Sequence, residues 1–365
     1  MITKKKAAIF IINSLQNGGA ERVVVNMATE LSIKGIHTIL ILVHSKKYYK
    51  IPKSIEVISL SHEYHGIKKA INIPLLSKKL SKVLEKIFKR YRVILLTAHL
   101  PYTHWICRFS KYRNKILFVM HNPQFQFKYS RSLFYKKKIN FLYYKLNLIA
   151  VSKGVRDELV GIYHLNPKRV TTIYNPINFT DIDSKLKEKM EISVSSPFIL
   201  SAGRLTSQKR FDRLLYAYKK SGLFTKYKLI ILGVGEQKEK LKRLSQHLGL
   251  QNYVIFAGWS NNIYKWMSKA KLFVCSSDYE SFGMTIIEAL YCNCKVVSTN
   301  CKYGPNEILI NSFSNYLTKL SSEDLAKKMI LALKVYPKIT HDIDNRFDVE
   351  KILAEYLHIY IEAIK

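Results

Sequence analysis

Short runs of apolar, largely β-branched residues recur along this chain, each followed by a polar turn and then by a stretch of helical periodicity. That alternation constrains the fold more than any other feature. Strands separated by helices pair in parallel, and a parallel sheet is covered on both faces. The clearest unit is 272–299. It reads Leu272-Phe-Val-Cys275, then Ser276-Ser-Asp-Tyr279, then E-S-F-G-M-T-I-I-E from Glu280 to Glu288, then Lys295-Val-Val-Ser-Thr299. Further strands are predicted at 7–12, 37–43, 55–60, 93–97, 116–120, 147–151 and 170–173, and again at 198–202, 228–232 and 253–256. Between the first two, Val24, Met27, Ala28 and Leu31 recur at i, i+3, i+4, i+7, and Gly35 stops the helix. The turn signal from Tyr174 to Ser184, followed by a charged run, marks a break between two such series. The expected architecture is α/β with two doubly wound, Rossmann-like domains facing a central cleft. The first spans 1–178, a linker 179–196, and the second 197–345. A C-terminal helix over 346–365 is expected to pack back toward the first.

In open parallel sheets ligands bind at the carboxyl ends of the strands, so the loops there carry the candidate chemistry. Glu280 and Glu288 can accept from hydroxyls. The backbone N–H groups of Phe282, Gly283 and Met284, at a helix start, can receive an anion. Asn17-Gly18-Gly19-Ala-Glu-Arg22 opens the first helix, and paired glycines let a backbone approach a phosphate closely. It is not G-x-G-x-x-G, and no acidic residue ends the second strand, so a dinucleotide reading is disfavoured. His121, after the strand ending at Met120, either positions a substrate hydroxyl or caps structure. In Gly203-Arg204-Leu-Thr-Ser-Gln-Lys209, the Arg204 guanidinium and the Lys209 ammonium can neutralise a diphosphate; were this loop alone, the favoured reading would be ordinary solvated cations. Gly233-Val-Gly235 is another close-approach turn. Asp181-Ile-Asp183 could hold a cation, but it falls in the expected linker rather than at a strand end.

Charge is the next constraint. The net charge is +34, and residues 1–178 hold 32 Lys and Arg against 7 Asp and Glu, while residues 179–365 hold 28 against 19. The first half should attract polyanions or an anionic leaflet. Two of its segments, 75–90 and 124–146, mix lysines with apolar and aromatic residues in the manner of an interfacial helix; the alternative is an ordinary surface helix with its apolar face in the core. No recognition module for nucleic acid accompanies the charge, so none is expected as a partner. The five cysteines form no C-x-x-C framework, which reads as a reduced, cytoplasmic protein. The apolar run 7–12 is too short for a signal peptide, and no stretch is long enough to span a bilayer.

Taken in order, Gly18-Gly19-Ala-Glu-Arg22, Gly203-Arg204-Leu-x-x-Gln-Lys209, Gly233-x-Gly235 and the E-x7-E of Glu280 and Glu288 resemble the retaining glycosyltransferases of family 4, which have the GT-B fold. Tyr303-Gly-Pro-Asn-Glu-Ile-Leu309 is similar to the G-P-x-E-I-L of a bacterial subgroup that builds surface polysaccharides and lipid-linked glycans. The resemblance implies that Arg204, Lys209, Gly18 and Gly19 hold a donor diphosphate and that Glu288 binds the ribose. Glu280 with Phe282, Gly283 and Met284 would hold donor-sugar hydroxyls and phosphate, and Gly233 and Gly235 would form a nucleotide loop. His121 and Glu280 would be the catalytic pair. It implies transfer of a hexose or N-acetylhexosamine from a nucleotide sugar, UDP-linked, to a lipid-linked oligosaccharide, lipopolysaccharide or capsule acceptor. It implies no cofactor and no metal, and a place on the inner face of the cytoplasmic membrane. Ser281, where the family often has Gly, and Ser312 and Asn315 depart from the pattern. A sugar-nucleotide epimerase or phosphorylase of the same fold and a non-catalytic polyanion or nucleic-acid binder are the alternatives.

Overall fold

A computed structural model of the chain describes residues 4–16, 18–45, 49, 51–61, 72–121, 132–189, 196–340 and 342–364. It contains two compact units, residues 1–177 with 347–365, and residues 178–346.

The first unit is built on β1 (Lys6–Ile12), β2 (His37–His44), β3 (Glu56–Ser61), β4 (Arg92–His99), β5 (Leu117–Met120), β6 (Asn147–Ala150) and β7 (Val170–Thr172). They lie in the order β3-β2-β1-β4-β5-β6-β7, and every pairing is parallel. Ala7 to Ile12 of β1 are wholly buried, as a central strand covered on both faces must be. The order reverses between β1 and β4, so the loops after β1, β4 and β5 gather at one end of the sheet. Helices Gly19–Ile33, Ile73–Arg90, Pro101–Arg108, Leu133–Tyr143 and Lys153–Gly161 lie in the connections. The last helix, Val349–Ile364, lies against β4 and helix Gly19–Ile33. It buries Ile352, Leu353, Tyr356 and Tyr360, the two aliphatic side chains each worth roughly 1.5–3 kcal/mol in area removed from water. Of the basic aromatic segment 124–146, residues 124–131 lie outside the described residues, as does Asn17 of the glycine turn.

The second unit carries β8 (Phe198–Ala202), β9 (Lys228–Leu232), β10 (Val254–Gly258), β11 (Leu272–Cys275), β12 (Val296–Thr299) and β13 (Leu317–Thr318). Their order is β10-β9-β8-β11-β12-β13, again parallel. The reversal falls between β8 and β11. Helices Phe211–Ser221 and Ser322–Lys334 pack together over one face through Leu214, Leu215, Tyr218, Leu325 and Met329. The stretch 179–196 is not simply a link. Phe179–Lys187 is a helix of this second unit, capped by the Asn178 side chain, which accepts from the Asp181 N–H at 2.9 Å. Buried Phe179 and Ile182 anchor it, Phe179 against the Tyr291 ring. Asp181 and Asp183 have separate partners there, the Lys185 ammonium at 2.8 Å and the Tyr291 hydroxyl at 2.9 Å. The five cysteines are buried free thiols. No helix among the described residues is long and apolar enough to cross a membrane.

Candidate active site

At the strand reversal of the second unit, the loop after β8 and the loop after β11 are laced together. Lys209 follows β8, and its ammonium reaches the Glu280 carboxylate after β11 at 2.6 Å. The same carboxylate oxygen accepts from the Ser277 hydroxyl at 2.6 Å. The Ser276 hydroxyl donates to the Lys209 carbonyl at 2.8 Å, and the Gln208 side-chain amide to the Tyr279 carbonyl at 2.8 Å. Burial pulls the Lys209 pKa down, but the charge and hydrogen bond of Glu280 together outweigh it, and the ammonium sits above its ordinary value. Arg204, in the loop that carries Lys209, is exposed, and its charge acts on the Tyr279 hydroxyl next to Glu280 in sequence. Asp278 joins the two loops a second time. It pairs with Arg210 at 3.0 Å and with the buried Arg213, whose other nitrogen donates to the Ser276 carbonyl at 2.8 Å.

The glycine turn after β9 packs on the loop after β8. Leu205 N–H donates to the Val234 carbonyl at 2.9 Å and Gln237 N–H to the Leu205 carbonyl at 2.9 Å. Gly233 has φ +144°, and a Cβ there would meet the Gly203 carbonyl oxygen at 1.9 Å, so no other residue allows this approach. Gly283, at φ +102°, caps helix Met284–Tyr291, and the Phe282, Gly283 and Met284 amides stand at its positive end. Phe282 and Gly283 are buried and Met284 half-buried. Glu288, four residues into the helix, is fully buried, so a ligand hydroxyl reaches it only if its neighbours yield.

In the first unit, Gly18 caps helix Gly19–Ile33 and its carbonyl accepts from the Tyr49 hydroxyl at 3.0 Å. His121 stands at the end of β5, beside β4. Its Nε2 lies 2.8 Å from Nδ1 of His99, whose Nε2 lies 2.8 Å from the Thr97 hydroxyl. Burial, with His104 nearby, depresses the His121 pKa to about 3; burial and the neighbouring His121 and His104 push His99 down as well. Both imidazoles are therefore neutral near pH 7.

Within each unit, then, the predicted residues collect at the strand reversal: Gly18, Gly19 and His121 in the first, and Arg204, Lys209, Gly233, Gly235, Glu280, Phe282, Gly283 and Met284 in the second. Sequence reasoning missed Thr97, His99, Arg210, Arg213 and Asp278. His99 carries the same signal as His121, a histidine ending a strand, but the apolar run predicts that strand only as far as Thr97. Among the described residues no three His, Cys, Asp or Glu gather as a metal-holding group.

Two doubly wound parallel units in one chain, each with its chemical groups at the carboxyl ends of its central strands, define the GT-B class of fold. Residues 17–181 match the model of Glycosyltransferase Family 4 and residues 183–346 that of glycosyl transferases group 1. The chain is 33% identical over 330 residues, 88% of its length and 87% of the relative's, to the N-acetylgalactosamine-N,N'-diacetylbacillosaminyl-diphospho-undecaprenol 4-alpha-N-acetylgalactosaminyltransferase of Campylobacter jejuni. It is 26% identical, over 97% of its length and 98% of the relative's, to a second alpha-1,4-N-acetyl-D-galactosaminyltransferase of that organism, which acts on a diNAcBac-PP-undecaprenol-linked saccharide. Anabaena HepE, solved with UDP and glucose, shares the fold at TM-score 0.74 and 18% identity, over 97% of this chain and 100% of that one. The chain belongs to glycosyltransferase family 4 and is a glycosyltransferase.

Proposed function

We infer that the enzyme transfers a hexose or N-acetylhexosamine, with retention of anomeric configuration, from a UDP-sugar to a lipid-linked oligosaccharide or a lipopolysaccharide or capsule acceptor. The observation that carries this reading is the Lys209–Glu280 pair at the strand reversal, with Arg204 exposed in the loop that carries Lys209. Breaking a glycosyl–phosphate bond leaves an oxocarbenium-like centre on the sugar and negative charge on the departing diphosphate. Lys209 and Arg204 supply fixed positive charge for that leaving group, and the amides at Phe282, Gly283 and Met284 add donors. A diphosphate competing for the Lys209 ammonium releases Glu280 to accept from a sugar hydroxyl. Gly19 offers a backbone donor to the diphosphate beside Gly18, whose own N–H is held by the Gln16 carbonyl, Gly233 and Gly235 allow the nucleotide close approach, Glu288 accepts from the ribose, and His121 serves a hydroxyl of the transferred sugar. No metal or cofactor enters the scheme. The acceptor class follows the undecaprenol-linked substrates in the names of the Campylobacter relatives.

The first unit supports a place at an anionic, cytoplasmic membrane surface. On helix Leu133–Tyr143, Leu133 and Phe134 are 68% and 80% exposed, and Lys137, Lys138 and Phe141 share that outward face. Trp105, Phe109 and Phe141 form a ring cluster with Arg108 over Phe141 and Lys138 over Trp105. Aromatic rings flanked by cations suit the headgroup level of a bilayer. Beside them, Arg108, Arg113, Lys115, Lys145 and Arg169 line a cavity of about 540 Å³, and among the described residues no carboxylate stands in its wall.

A thermal-shift panel of UDP, GDP, ADP and UDP-sugars tests the donor. UDP is expected to raise the melting temperature of the parent protein, and Lys209→Ala and Glu288→Ala are expected to lessen that shift. Stabilisation by GDP or ADP alone overturns the base assignment. Flotation with anionic and neutral liposomes tests the surface. Charge reversal at Lys136, Lys137 and Lys138 that leaves anionic-liposome binding and activity on a lipid-borne acceptor intact removes the membrane reading.

A further inference from the structure

The chain of contacts behind His121 has a direction. Thr97 is fully buried, and among the described residues His99 Nε2 is the acceptor within reach of its hydroxyl. A buried hydroxyl that donates to nothing costs roughly 1–3 kcal/mol, so the Thr97 proton lies on the line to His99. A neutral imidazole that accepts at Nε2 carries its proton on Nδ1. That N–H faces His121 Nε2 at 2.8 Å, which must then be the acceptor. The reverse order, with His121 donating to His99 and His99 donating to Thr97, leaves the threonine proton stranded. Among the described residues the rings packed against the pair are Phe10 and the histidines themselves, and His104 is turned to the Tyr143 hydroxyl and the Ala98 carbonyl.

We propose that Thr97 and His99 are positioning residues that hold His121 as the neutral Nδ1–H tautomer, so that it serves the transferred group as a hydrogen-bond donor and not as a base. With Nε2 engaged by His99, Nδ1–H is the one donor the ring retains, and it matches a neutral oxygen, a sugar hydroxyl or ring oxygen, better than a proton to be abstracted. The relay stands on these contacts and on the neutrality of both rings; its use on a sugar rests on the reading of His121 given above.

The test separates the two. Nitrogen-15 shifts of histidine-labelled protein, recorded without substrate, report which ring nitrogen is protonated. His121 is expected to show a protonated Nδ1 and a bare Nε2. Thr97→Val keeps the shape and the strand propensity but removes the hydroxyl proton, and is expected to spread His121 over both tautomers; Thr97→Ser is expected to restore the parent pattern. In transfer assays Thr97→Val is expected to lower kcat about tenfold, the worth of about one hydrogen bond, with the donor KM changed less than about twofold, and Thr97→Ser to recover it. A parent protein protonated at Nε2 of His121, or a Thr97→Val spectrum identical to the parent, overturns the relay. A shifted tautomer with unchanged kcat sustains the relay and overturns the assignment of His121 to the sugar.

Discussion

At Lys209 two opposing effects meet on one ammonium. Burial disfavours its charge, and Glu280 at 2.6 Å restores it. Both side chains are largely withdrawn from water, 21% and 10% exposed, so losing one partner costs far more than at the surface. Glu280→Gln is expected to destabilise the protein by about 2–4 kcal/mol, read as a lower urea midpoint at unchanged slope. It is also expected to lower kcat by about 10²-fold or more. An unaltered urea midpoint would mean that Lys209 relaxes into solvent when its partner is neutral. Asp278 is the other shared carboxylate, and its partner Arg213 is only 5% exposed. Asp278→Asn leaves that guanidinium buried beside a neutral amide, for an expected loss of about 1–3 kcal/mol. Donor KM should rise with it, because the loop carrying Lys209 loses a tie to the loop carrying Glu280.

The elements themselves were mostly legible in the chain. Strands buried on both faces read as continuous apolar runs, and each central strand of both sheets was found that way. What escaped did so for local reasons. β13 is two residues, Leu317–Thr318, too short for any period. Helix Phe179–Lys187 buries only Phe179 and Ile182, and Pro176 with the flanking charges reads as a link. The lacing of the loops was not legible, since Lys209 and Glu280 stand 71 residues apart and Arg213 and Asp278 stand 65 apart. A single sequence shows the charges but not their pairing. The glycine turn shows how such lacing is enforced. In Gly233→Ala the new methyl falls on the Gly203 carbonyl oxygen, a backbone atom that cannot swing aside, and the +144° φ opposes any side chain. The loops after β8 and β9 are expected to part, with about 2 kcal/mol or more of stability lost. UDP stabilisation in the thermal-shift assay should vanish along with it. Gly19→Ala, where a Cβ meets nothing within 4 Å, is the matched control and is expected to leave stability within about 0.5 kcal/mol of the parent. Equal effects of the two changes would remove the packing argument.

For the whole molecule the governing asymmetry is charge. Residues 1–178 carry 32 cations against 7 anions, and the same unit buries His99, His104 and His121. Burial depresses His104 to about 4 and His121 to about 3, and His99 is lowered with them. In the unfolded chain these rings titrate near about 6.5, so as pH falls below that value protons bind the unfolded chain first. The three histidines therefore leave stability whole above about pH 6.5 and withdraw it as the pH falls toward 4. For a group like His104 the loss at pH 5 is about 2 kcal/mol. Self-repulsion of the basic unit deepens it. The first unit is expected to unfold in acid before the second, which contains none of these three rings. The three tryptophans allow that to be watched separately, because Trp105 lies in the first unit and Trp259 and Trp266 in the second. In a Trp259→Phe/Trp266→Phe variant, Trp105 emission should shift to the red between about pH 6 and 4.5, while near-UV signals of the second unit in the Trp105→Phe protein persist to lower pH. Added salt screens the repulsion over about 10 Å at 0.1 M and should move the Trp105 transition to lower pH. His104→Phe should do the same by removing one titrating ring. A Trp105 transition that coincides with that of the second unit, or that ignores His104→Phe, would show that acid acts through the carboxylates of the whole chain and not through the buried imidazoles.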